Sequence, residues 1–345
     1  MMKHCVTFGE IMLRLSPPGH ERFIQASNFG ATYGGAEANV AVSLSGYGIP
    51  VSFVSRVPQN ELGNAAIQSL RKFGIDTQFV DRGGQRLGIY FLETGASARA
   101  SKVIYDRAHS AIATMTPQMI DWDSVFSGAQ WFHWTGITPA ISETATLTMK
   151  SALEAATRLG LTISVDLNYR AQLWKWGKKP FDVMSELVSY CDLIIGNEED
   201  AQKVFGIHPE GVEVRSGHLD ATSYQSVGMQ LMERFPRCKR VAITLRSSFS
   251  ASHNSWSAVL YNGSSLIQGA SYEIRPIIDR VGGGDSFVGG LIYGLLSFSK
   301  NEQKALDFGI AASCLKHSIP GDFNLITTQE VEKLMSGDRS GRVSR

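Results

Sequence analysis

Apolar and polar positions follow two repeating patterns along this chain. Short apolar runs such as VSFVSRV (51–57) and DLIIGN (192–197) have the length and β-branched content of buried strands. Segments such as AEANVAVSLSGYG (36–48) and ETATLTMKSALEAATRLG (143–160) carry apolar residues every three to four positions, which is typical of helices. Apolar strands that alternate with helices indicate a mainly parallel sheet covered on both faces. The pattern therefore predicts an α/β fold.

The same pattern assigns most of the remaining elements. A first strand is predicted over residues 5–15, and a helix over residues 61–74, with Gly74 in the left-handed position that ends it. Further strands are predicted over residues 131–137, 161–168 and 240–245, and further helices over residues 198–206, 224–235 and 285–298.

Two segments interrupt this alternation. Residues 86–109 contain two strand-like halves, LGIYFLE and KVIYDR, around a turn rich in Gly, Ala and Ser, and no helix of useful length fits there. The segment ERFIQASNFGATYGG (21–35) also lacks a helical pattern. We predict that both form a small sheet that projects over a cleft, with an ordinary surface hairpin as the alternative. The predicted units are an α/β body (1–14, 34–86 and 110–335), a β lid (15–33 and 87–109) and a flexible tail (336–345).

Composition narrows the classes of protein to consider. The 345 residues are 43% hydrophobic and 19% charged, which is typical of a globular chain with a large core. A formal net charge of +1 predicts neither nucleic acid nor a membrane surface as a partner. The four cysteines are scattered and suggest neither zinc nor disulfides. The first residues do not resemble a signal peptide, and we expect a cytoplasmic protein.

The run DRVGGGDSFVGG (279–290) is the main chemical feature of the sequence. It is not a Walker A loop, because Gly290 and Leu291 stand where Lys and Ser or Thr are required. It is not a dinucleotide fingerprint either, because no GxGxxG fits and the run lies far from the first strand.

The run precedes a predicted helix, and this position suggests a role. The first N–H groups of a helix are unpaired and carry partial positive charge. Glycines let an anion approach them, so Gly282, Gly283 and Gly284 predict a socket for a phosphoryl group. We expect the helix dipole to keep Asp285 ionised and able to accept a proton. The alternative is a simple N-cap, although a cap needs no more than one glycine.

These residues resemble the ribokinase-like (pfkB-type) carbohydrate kinases. DRVGGGDSFVGGLIYGL is similar to the family pattern D-T-x-G-A-G-D-x-F-x-x-G, and YGGAEANVAVSLSGYG is similar to its N-terminal G-G-x-x-x-N-x-A. VPQNELGNAAIQSLRKFGID matches the segment that follows in the family. The resemblance implies a ribokinase-like three-layer sandwich with a projecting β lid. It also implies an ATP-dependent kinase with Asp285 as catalytic base and Gly282–Gly284 as anion hole.

The nucleotide side departs from the family pattern. Arg280 stands where Thr is commonest, and Gly283 replaces Ala. The family's N-x-x-E motif appears as Asn197-Glu-Glu-Asp200, so Mg²⁺ is expected near Asp200 through water, with Glu199 as the alternative. TLRSSFSASHNSWSA replaces the family's T-x-G-x-x-G segment. The residues expected to contact ATP are Asn168, Asn197 and Arg246.

The sugar side combines glycines, tyrosines and arginines. The resemblance places Gly34, Gly35 and Asn39 near the sugar. The polar side chains expected to face it are Tyr90, Tyr105, Arg107 and Arg170. Guanidinium groups form paired hydrogen bonds to carboxylates, so two arginines in one cleft suit a sugar acid. The alternative is that Arg107 is a solvated lid charge and that the tyrosines pack within the lid.

Further segments resemble one branch of the family, the 2-keto-3-deoxygluconate kinases. They include FGEIMLRLSPPG, VIYDRAHSA, DLNYRAQLW and IPGDFN. The resemblance implies ATP-dependent phosphorylation of the primary hydroxyl of a keto-deoxy sugar acid. A kinase for a neutral sugar or a nucleoside, and a non-catalytic sugar-binding protein, remain alternatives. The expected partners are the sugar acid, ATP and a second copy of the chain that associates through the lid. The pattern does not choose between gluconate and galactonate stereochemistry.

Overall fold

Two sheets organise the part of the chain that the computed structural model describes, residues 3–208 and 221–338. The fourteen strands within these residues are β1 His4–Phe8, β2 Met12–Ser16, β3 Gly30–Gly34, β4 Val51–Val57, β5 Val80–Arg82, β6 Ile89–Glu93, β7 Lys102–Asp106, β8 Ala129–Thr135, β9 Thr162–Asp166, β10 Leu193–Asn197, β11 Arg240–Ser250, β12 His253–Tyr261, β13 Leu266–Gln268 and β14 Tyr272–Ile274.

Helices connect most of the strands and cover the larger sheet. Within the same residues the α-helices are α1 Ala36–Gly46, α2 Glu61–Arg71, α3 Trp122–Val125, α4 Ile137–Ile141, α5 Glu143–Arg158, α6 Pro180–Val188, α7 Asp200–Phe205, α8 Ala221–Arg234, α9 Gly283–Ser297, α10 Glu302–Lys316 and α11 Thr328–Met335. Among the described residues, no helix combines the length and apolar character that crossing a membrane requires.

The large sheet is parallel through its centre and antiparallel at one edge. Its order is β13-β12-β11-β10-β9-β8-β1-β4-β5, and β14 pairs with β12. The pairings from β5 to β11 are parallel, whereas β12 pairs antiparallel with β11, β13 and β14. The predicted mainly parallel sheet is therefore confirmed. The sequence segment that departs from the family pattern forms the antiparallel β11–β12 hairpin.

Each face of this sheet is covered by its own hydrophobic core. On strand β10, Leu193 and Ile195 join the core that contains α1, α9 and α10, while Ile194 between them joins the core that contains α5 and α8. Alternation with a period of two explains this arrangement, because successive strand side chains point to opposite faces. The result is the predicted three-layer sandwich.

Glycines in α9 allow this helix to pack closely against its neighbours. A Cβ atom on Gly290 would lie 2.8 Å from the Cα atom of Gly309 in α10, and one on Gly289 would lie 2.6 Å from the Cβ atom of Ser43 in α1. Neither distance is tolerable for real atoms, so side chains at these positions would push the helices apart. The close packing fixes the position of the N-terminus of α9.

The small sheet has the order β3-β2-β6-β7. Strands β6 and β7 pair antiparallel, with Tyr90 opposite Tyr105. No helix occurs between residues 86 and 109, all of which the structure describes, so the prediction of two strands that belong to a small sheet is confirmed. The larger division into body, lid and tail stays a prediction, and residues 339–345 of the tail lie outside the described residues.

Several predicted element boundaries differ from the observed ones, and two of these differences bear on the site. The single first strand over residues 5–15 is two strands, because β1 belongs to the large sheet and β2 to the small one. The break follows Phe8, where the carboxylate of Glu37 occupies the place that a side chain on Gly9 would need. The helix predicted from residue 285 begins at Gly283, so two of the three glycines lie in its first turn.

Candidate active site

A cavity of about 630 Å³ lies between the small sheet and the carboxyl ends of the parallel strands. Met12 and Val103 of the small sheet line it on one side, and Asp166, Gly196 and Thr244 line it from strands β9, β10 and β11. Loops at the carboxyl ends of parallel strands commonly form ligand sites, because adjacent connections diverge there. We call this space the central cavity.

Nearly all the predicted site residues meet in the central cavity. Those that line it are Gly35, Asn39, Tyr90, Tyr105, Arg107, Asn168, Arg170, Asn197, Asp200, Arg246, Gly282, Gly283, Gly284 and Asp285. Gly34 is the exception, since it is absent from the lining. A side chain on Gly34 would overlap the carboxylate of Asp322, and one on Gly35 would overlap the carbonyl oxygen of Glu10. Close packing therefore requires both glycines.

The N-terminus of α9 opens into the central cavity. Gly282 has φ +79° and Gly283 packs against the ring of His317, so both positions favour glycine. The N–H of Gly283 donates to the carbonyl of Arg280 at 3.3 Å. The N–H groups of Gly284 and Asp285 have no partner among the described residues, and no atom lies within 4 Å of the Cβ position of Gly284. The N–H of Gly282 has no partner among the described residues either, so Gly282, Gly284 and Asp285 present unpaired donors, whereas Gly283, which was also expected to contribute one, does not.

Asp285 is held by a hydrogen bond from α1. The amide Nδ2 of Asn39 donates to its Oδ2 at 2.6 Å, and the N–H of Gly35 donates to Asn39 Oδ1 at 3.3 Å. Protein atoms surround the carboxyl group, and this desolvation raises its pKa to about 6, although the Asn39 bond and Arg170 lower it. The sequence analysis did not anticipate this rise in pKa, and the role of the helix dipole in keeping Asp285 ionised stays a prediction. A carboxyl group with this pKa is still largely ionised at neutral pH and is a stronger base than an ordinary aspartate.

A second buried acid, Glu37, was missed by the sequence analysis. Its Oε1 accepts hydrogen bonds from Thr135 Oγ1 at 2.7 Å and from Thr138 Oγ1 at 2.8 Å. Burial raises its pKa to about 7, and the two threonines oppose that rise. The available sequence signal was an acid inside the small-residue run GGAEANVA, which is unusual on a buried helix face. Glu37 joins α1 to the end of β8 and to α4 and so supports Asn39.

A buried ion cluster joins the small sheet to the loop before α9, and it was also missed. Arg14 of β2 contacts Asp279 at 2.7 Å and Asp322 at 2.9 Å, and all three are almost fully buried. The hydroxyl of Tyr90 donates to the other oxygen of Asp322. Burial alone would lower the pKa of Arg14, but the two aspartates outweigh it and raise that pKa. Tyr90, expected to face the sugar, is thus also part of this cluster.

Arg107 is likewise ion-paired. Its Nη2 contacts Glu10 Oε2, and both side chains are almost fully buried. Within the described residues, Arg107 Nε and Glu10 Oε1 have no hydrogen-bond partner. Arg107 was expected to meet a substrate carboxylate, but Glu10 already balances its charge. Its unpaired Nε and the Glu10 oxygen are instead suited to hydroxyl groups.

Three other arginines of the cavity form no ion pair with any described residue: Arg170, Arg246 and Arg280. Arg170 follows β9 and donates to the carbonyl of Tyr169 at 2.9 Å. Arg246 is exposed on β11, where only its backbone N–H is bonded, to Glu198 at 2.9 Å. Arg170 lies near enough to Asp166, Asp200 and Asp285 to lower the pKa of each, yet none of the three arginines is held in a direct ion pair, so their guanidinium groups are available to anionic ligands.

Asp200 was expected to support Mg²⁺, and its carboxylate is engaged with the backbone. It accepts from the N–H of Asn197 at 2.9 Å and from that of Tyr169 at 3.3 Å. Burial raises its pKa, although the two N–H groups oppose that rise. Among the described residues, no cluster of three His, Cys, Asp or Glu side chains forms a metal site. Mg²⁺ often uses only one or two carboxylates together with phosphates and water, so Asp200 and the neighbouring Glu198 fit such a role.

The fold, the glycine-rich start of α9 and Asp285 at the cavity define a carbohydrate kinase of the ribokinase-like class. The chain belongs to the pfkB family of carbohydrate kinases, whose sequence profile matches residues 2–327. The predicted family, fold and class of enzyme are thereby confirmed.

Individual relatives are similar over nearly their whole length. The chain is 31% identical over 341 residues to 2-dehydro-3-deoxygalactonokinase of Haloferax volcanii, covering 99% of both. It is 28% identical over 335 residues to 2-dehydro-3-deoxygluconokinase of Bacillus subtilis, covering 96% of this chain and 94% of that protein. The crystal structure of 2-dehydro-3-deoxygluconokinase from Thermotoga maritima has 47% identity and a TM-score of 0.90, covering 98% of this chain and 99% of that one.

Proposed function

We propose that this kinase transfers the γ-phosphoryl group of ATP to the primary hydroxyl of 2-keto-3-deoxygluconate, forming the 6-phosphate. The observation that carries the choice of a sugar acid is Arg170. This cation has no ion-pair partner among the described residues, lines the central cavity and lies close enough to Asp285 to lower its pKa. The names of the Bacillus and Thermotoga relatives support the same substrate, since 2-dehydro- and 2-keto- denote one compound.

In the proposed mechanism, Asp285 is the general base. Its carboxylate accepts the proton of the sugar hydroxyl as the hydroxyl oxygen attacks the γ-phosphorus atom. Asn39 donates to one oxygen of Asp285 at 2.6 Å and so orients the other. General-base catalysis of this kind contributes about 10²–10⁴ in rate.

The N-terminus of α9 is proposed to stabilise the charge on the transferred group. The N–H groups of Gly284 and Asp285 point from the first turn of a fifteen-residue helix, and its dipole adds positive potential there. Because Gly284 has open space at its Cβ position, a phosphoryl group can approach the backbone. Gly282 and Gly283 shape this turn.

The small sheet is proposed to hold the sugar. Arg170 and the exposed hydroxyl of Tyr105 take the carboxylate end of the sugar acid. The unpaired Nε of Arg107 and Oε1 of Glu10 take its hydroxyl groups, because each would otherwise remain buried without a partner. Tyr90, whose hydroxyl donates a hydrogen bond to Asp322, forms the wall of the sugar site on the small-sheet side.

ATP is proposed to lie over the ends of β10 and β11, where Asn168, Asn197 and Arg246 line the cavity. Mg²⁺ would be held near Asp200 and Glu198 together with the phosphates and water. When bound, the metal neutralises charge on the phosphates. The chain's own residues then orient the nucleotide and the sugar in line and exclude water between them.

Three alternatives to phosphorylation of 2-keto-3-deoxygluconate can be compared with the site. The Haloferax relative is named for the galactonate series, so the C4 epimer is the second candidate substrate. A neutral-sugar kinase would not require Arg170. A non-catalytic sugar-binding protein would need neither Asp285 nor the open turn at Gly284.

A coupled ATP-consumption assay over both epimeric sugar acids, fructose, ribose and adenosine tests the proposal. We expect kcat/KM to be highest for 2-keto-3-deoxygluconate, with ³¹P NMR placing the phosphate on the primary carbon. A preference for fructose or ribose would overturn the choice of substrate, and no turnover with any acceptor would overturn the kinase mechanism.

We also propose that two copies associate through the small sheet. All five residues of β7 are exposed, and Ile104, which alternates with the cavity-lining Val103 and Tyr105, presents an apolar side chain at 54% exposure. Ile104→Glu should convert the assembly to monomers in light scattering, and an unchanged mass would argue against this interface. A cytoplasmic location stays a prediction.

A further inference from the structure

Arg280 has no role in the mechanism above, yet it lies beside the reacting centre. It occurs two residues before Gly282, lines the central cavity and is about half buried. The family pattern quoted above has threonine at this place, where this chain carries a guanidinium group. Within the described residues no carboxylate pairs with it. The adjacent Asp279 is occupied by Arg14 at 2.7 Å.

Only one nitrogen atom of Arg280 is held by the protein. Its Nη2 donates to the carbonyl of Ala251 at 2.8 Å and makes a longer contact of 3.4 Å with that of Ser250. Its Nε and Nη1 have no hydrogen-bond partner in the part of the chain that the structure describes. The guanidinium group is therefore anchored through Nη2 alone, and the N–H groups of Nε and Nη1 are available to a ligand.

The turn that anchors Arg280 is also held by the small sheet. Ala251 N–H donates to the carbonyl of Ser97 at 2.7 Å, and Ser97 N–H donates to Ser252 Oγ at 3.3 Å. Ser97 lies at the tip of the β6–β7 hairpin. The position of Arg280 is thus linked through one turn to the position of the sheet that covers the sugar.

The electrostatic surroundings of Arg280 favour an anionic ligand. Burial lowers its pKa, and the neighbouring Arg246 lowers it further, while Asp279 opposes both. Two cations near each other in a partly desolvated site repel, and a polyanion between them relieves that repulsion. Both lie on the side of the cavity formed by β11, β12 and the start of α9, whereas Arg170 lies after β9.

We propose that Arg280 donates hydrogen bonds to the γ-phosphoryl group of the nucleoside triphosphate and stabilises it during transfer. The proposal rests on the kinase function proposed above. In that step the acceptor oxygen forms a bond to the γ-phosphorus atom, the bond to the β,γ-bridging oxygen breaks, and ADP leaves with the bonding electrons. The hydroxyl proton passes to Asp285. Arginines that meet the phosphoryl group in other phosphotransferases contribute about 10³–10⁵ in rate.

The decisive test compares a nucleotide that carries a γ-phosphoryl group with one that lacks it. Arg280→Gln and Arg280→Lys are titrated calorimetrically with ADP and with the non-hydrolysable analogue AMP-PNP, each with Mg²⁺. We expect Arg280→Gln to weaken AMP-PNP about tenfold or more while ADP changes less than about twofold, since a charge-assisted contact is lost only with the former. Arg158→Gln, which removes an exposed arginine of α5, is the matched control and should change neither.

Kinetics and rescue separate this role from a structural one. We expect kcat of Arg280→Gln to fall about 100-fold or more with little change in KM for the sugar. Added guanidinium ion should restore part of the kcat of Arg280→Ala. Equal weakening of ADP and AMP-PNP, together with a lower melting temperature, would overturn the proposal, because Arg280 would then only anchor the turn at Ala251.

The nucleotide titration also keeps the two proposals distinguishable. If the wild type phosphorylates no sugar acid but still loses AMP-PNP affinity selectively on Arg280→Gln, the choice of substrate fails and the role of Arg280 stands. If the wild type phosphorylates the sugar acid and Arg280→Gln retains normal kcat and AMP-PNP affinity, only the role of Arg280 fails. Absence of AMP-PNP binding by the wild type would overturn the role of Arg280.

Discussion

The arginines around the central cavity fall into two groups. On the small-sheet side, Arg14 and Arg107 are almost fully buried and each contacts a carboxylate. Arg170, Arg246 and Arg280 are exposed or half buried, and their guanidinium groups form no ion pair among the described residues. The same kind of side chain therefore maintains the structure in one group and is left available to ligands in the other.

Desolvation accounts for the division. A fully buried cation is unstable without an anion, so its partner must be supplied by the fold itself. A cation that keeps contact with solvent tolerates an empty site and pairs when an anionic ligand arrives. Substitutions in the first group should mainly lower stability, and substitutions in the second should mainly lower activity.

The largest effect is expected at Asp285, which lies between the two groups. Asp285→Asn should lower kcat about 10²–10⁴-fold, because a carboxamide cannot accept the hydroxyl proton. Steady-state kinetics measure this loss, and calorimetry should show that the variant still binds the sugar acid. A kcat near that of the wild type would exclude Asp285 as the base.

Loss of Arg14, which is ion-paired, should lower the equilibrium constant for folding by a factor comparable to the loss of kcat in Asp285→Asn. Arg14→Met removes the directly paired cation of Asp279 and Asp322 and leaves them only the buried Lys316, which interacts with both without forming an ion pair; breaking a buried pair costs about 3–5 kcal/mol. Urea unfolding measures the change, with the exposed Arg22→Met as the control. The double variant Arg14→Met/Asp322→Asn should recover part of the loss, since one stranded charge is removed. A change below 1 kcal/mol in Arg14→Met, on the order of a surface effect, would contradict this account.

The third prediction compares one arginine from each group. Arg170→Gln should lower kcat/KM for the sugar acid about 10- to 150-fold with an unchanged melting temperature, because it loses a charge-assisted contact worth about 1.5–3 kcal/mol. Arg107→Gln should lower the melting temperature as well, because Glu10 loses its partner.

A neutral analogue that lacks the carboxylate serves as the control substrate. Its kcat/KM should change much less in Arg170→Gln than that of the acid. Equal losses for both substrates would mean that Arg170 is structural and would favour a neutral-sugar kinase.

The pH profile should reflect the burial of Asp285. Because the base acts in its ionised form and its pKa is raised to about 6, kcat/KM should rise about tenfold per pH unit below pH 6 and level off above it. The Asn39 hydrogen bond lowers this pKa, so Asn39→Ala should move the rising limb to higher pH. If kcat/KM of the wild type instead levels off above about pH 4, the Asp285 carboxyl group has the pKa of a hydrated aspartate and the predicted effect of burial is wrong.

The smallest effect is expected in the dynamics of the small sheet. Residues 87–108 should exchange amide hydrogens more slowly when the sugar acid binds, because closure excludes water from the reacting groups. Hydrogen exchange measured by mass spectrometry, with and without the sugar acid, tests this. If amide exchange slows in α9 but is unchanged in residues 87–108, the small sheet does not move when the sugar acid binds.

Local patterns were sufficient to predict a large part of the site. Asp285 and Gly284 lie in one run at the start of a predicted helix, and the β6–β7 hairpin has its own turn residues, whereas Asn39 was placed by the family resemblance. The contacts of Arg14 were not predicted, because Asp322 lies 308 positions further along the chain. The pairing of Arg107 with Glu10, 97 positions apart, was missed for the same reason.

The sequence by itself determined the α/β pattern, the helix-free hairpin and the glycine-rich turn before Asp285, because each depends on the conformations of neighbouring residues. Tertiary structure decided that residues 5–15 divide between two sheets and that Gly34 packs against Asp322. It also decided which arginines are neutralised and raised the pKa of Asp285 to about 6. Burial and distance between remote segments control these properties, and neither is encoded in the order of neighbouring residues.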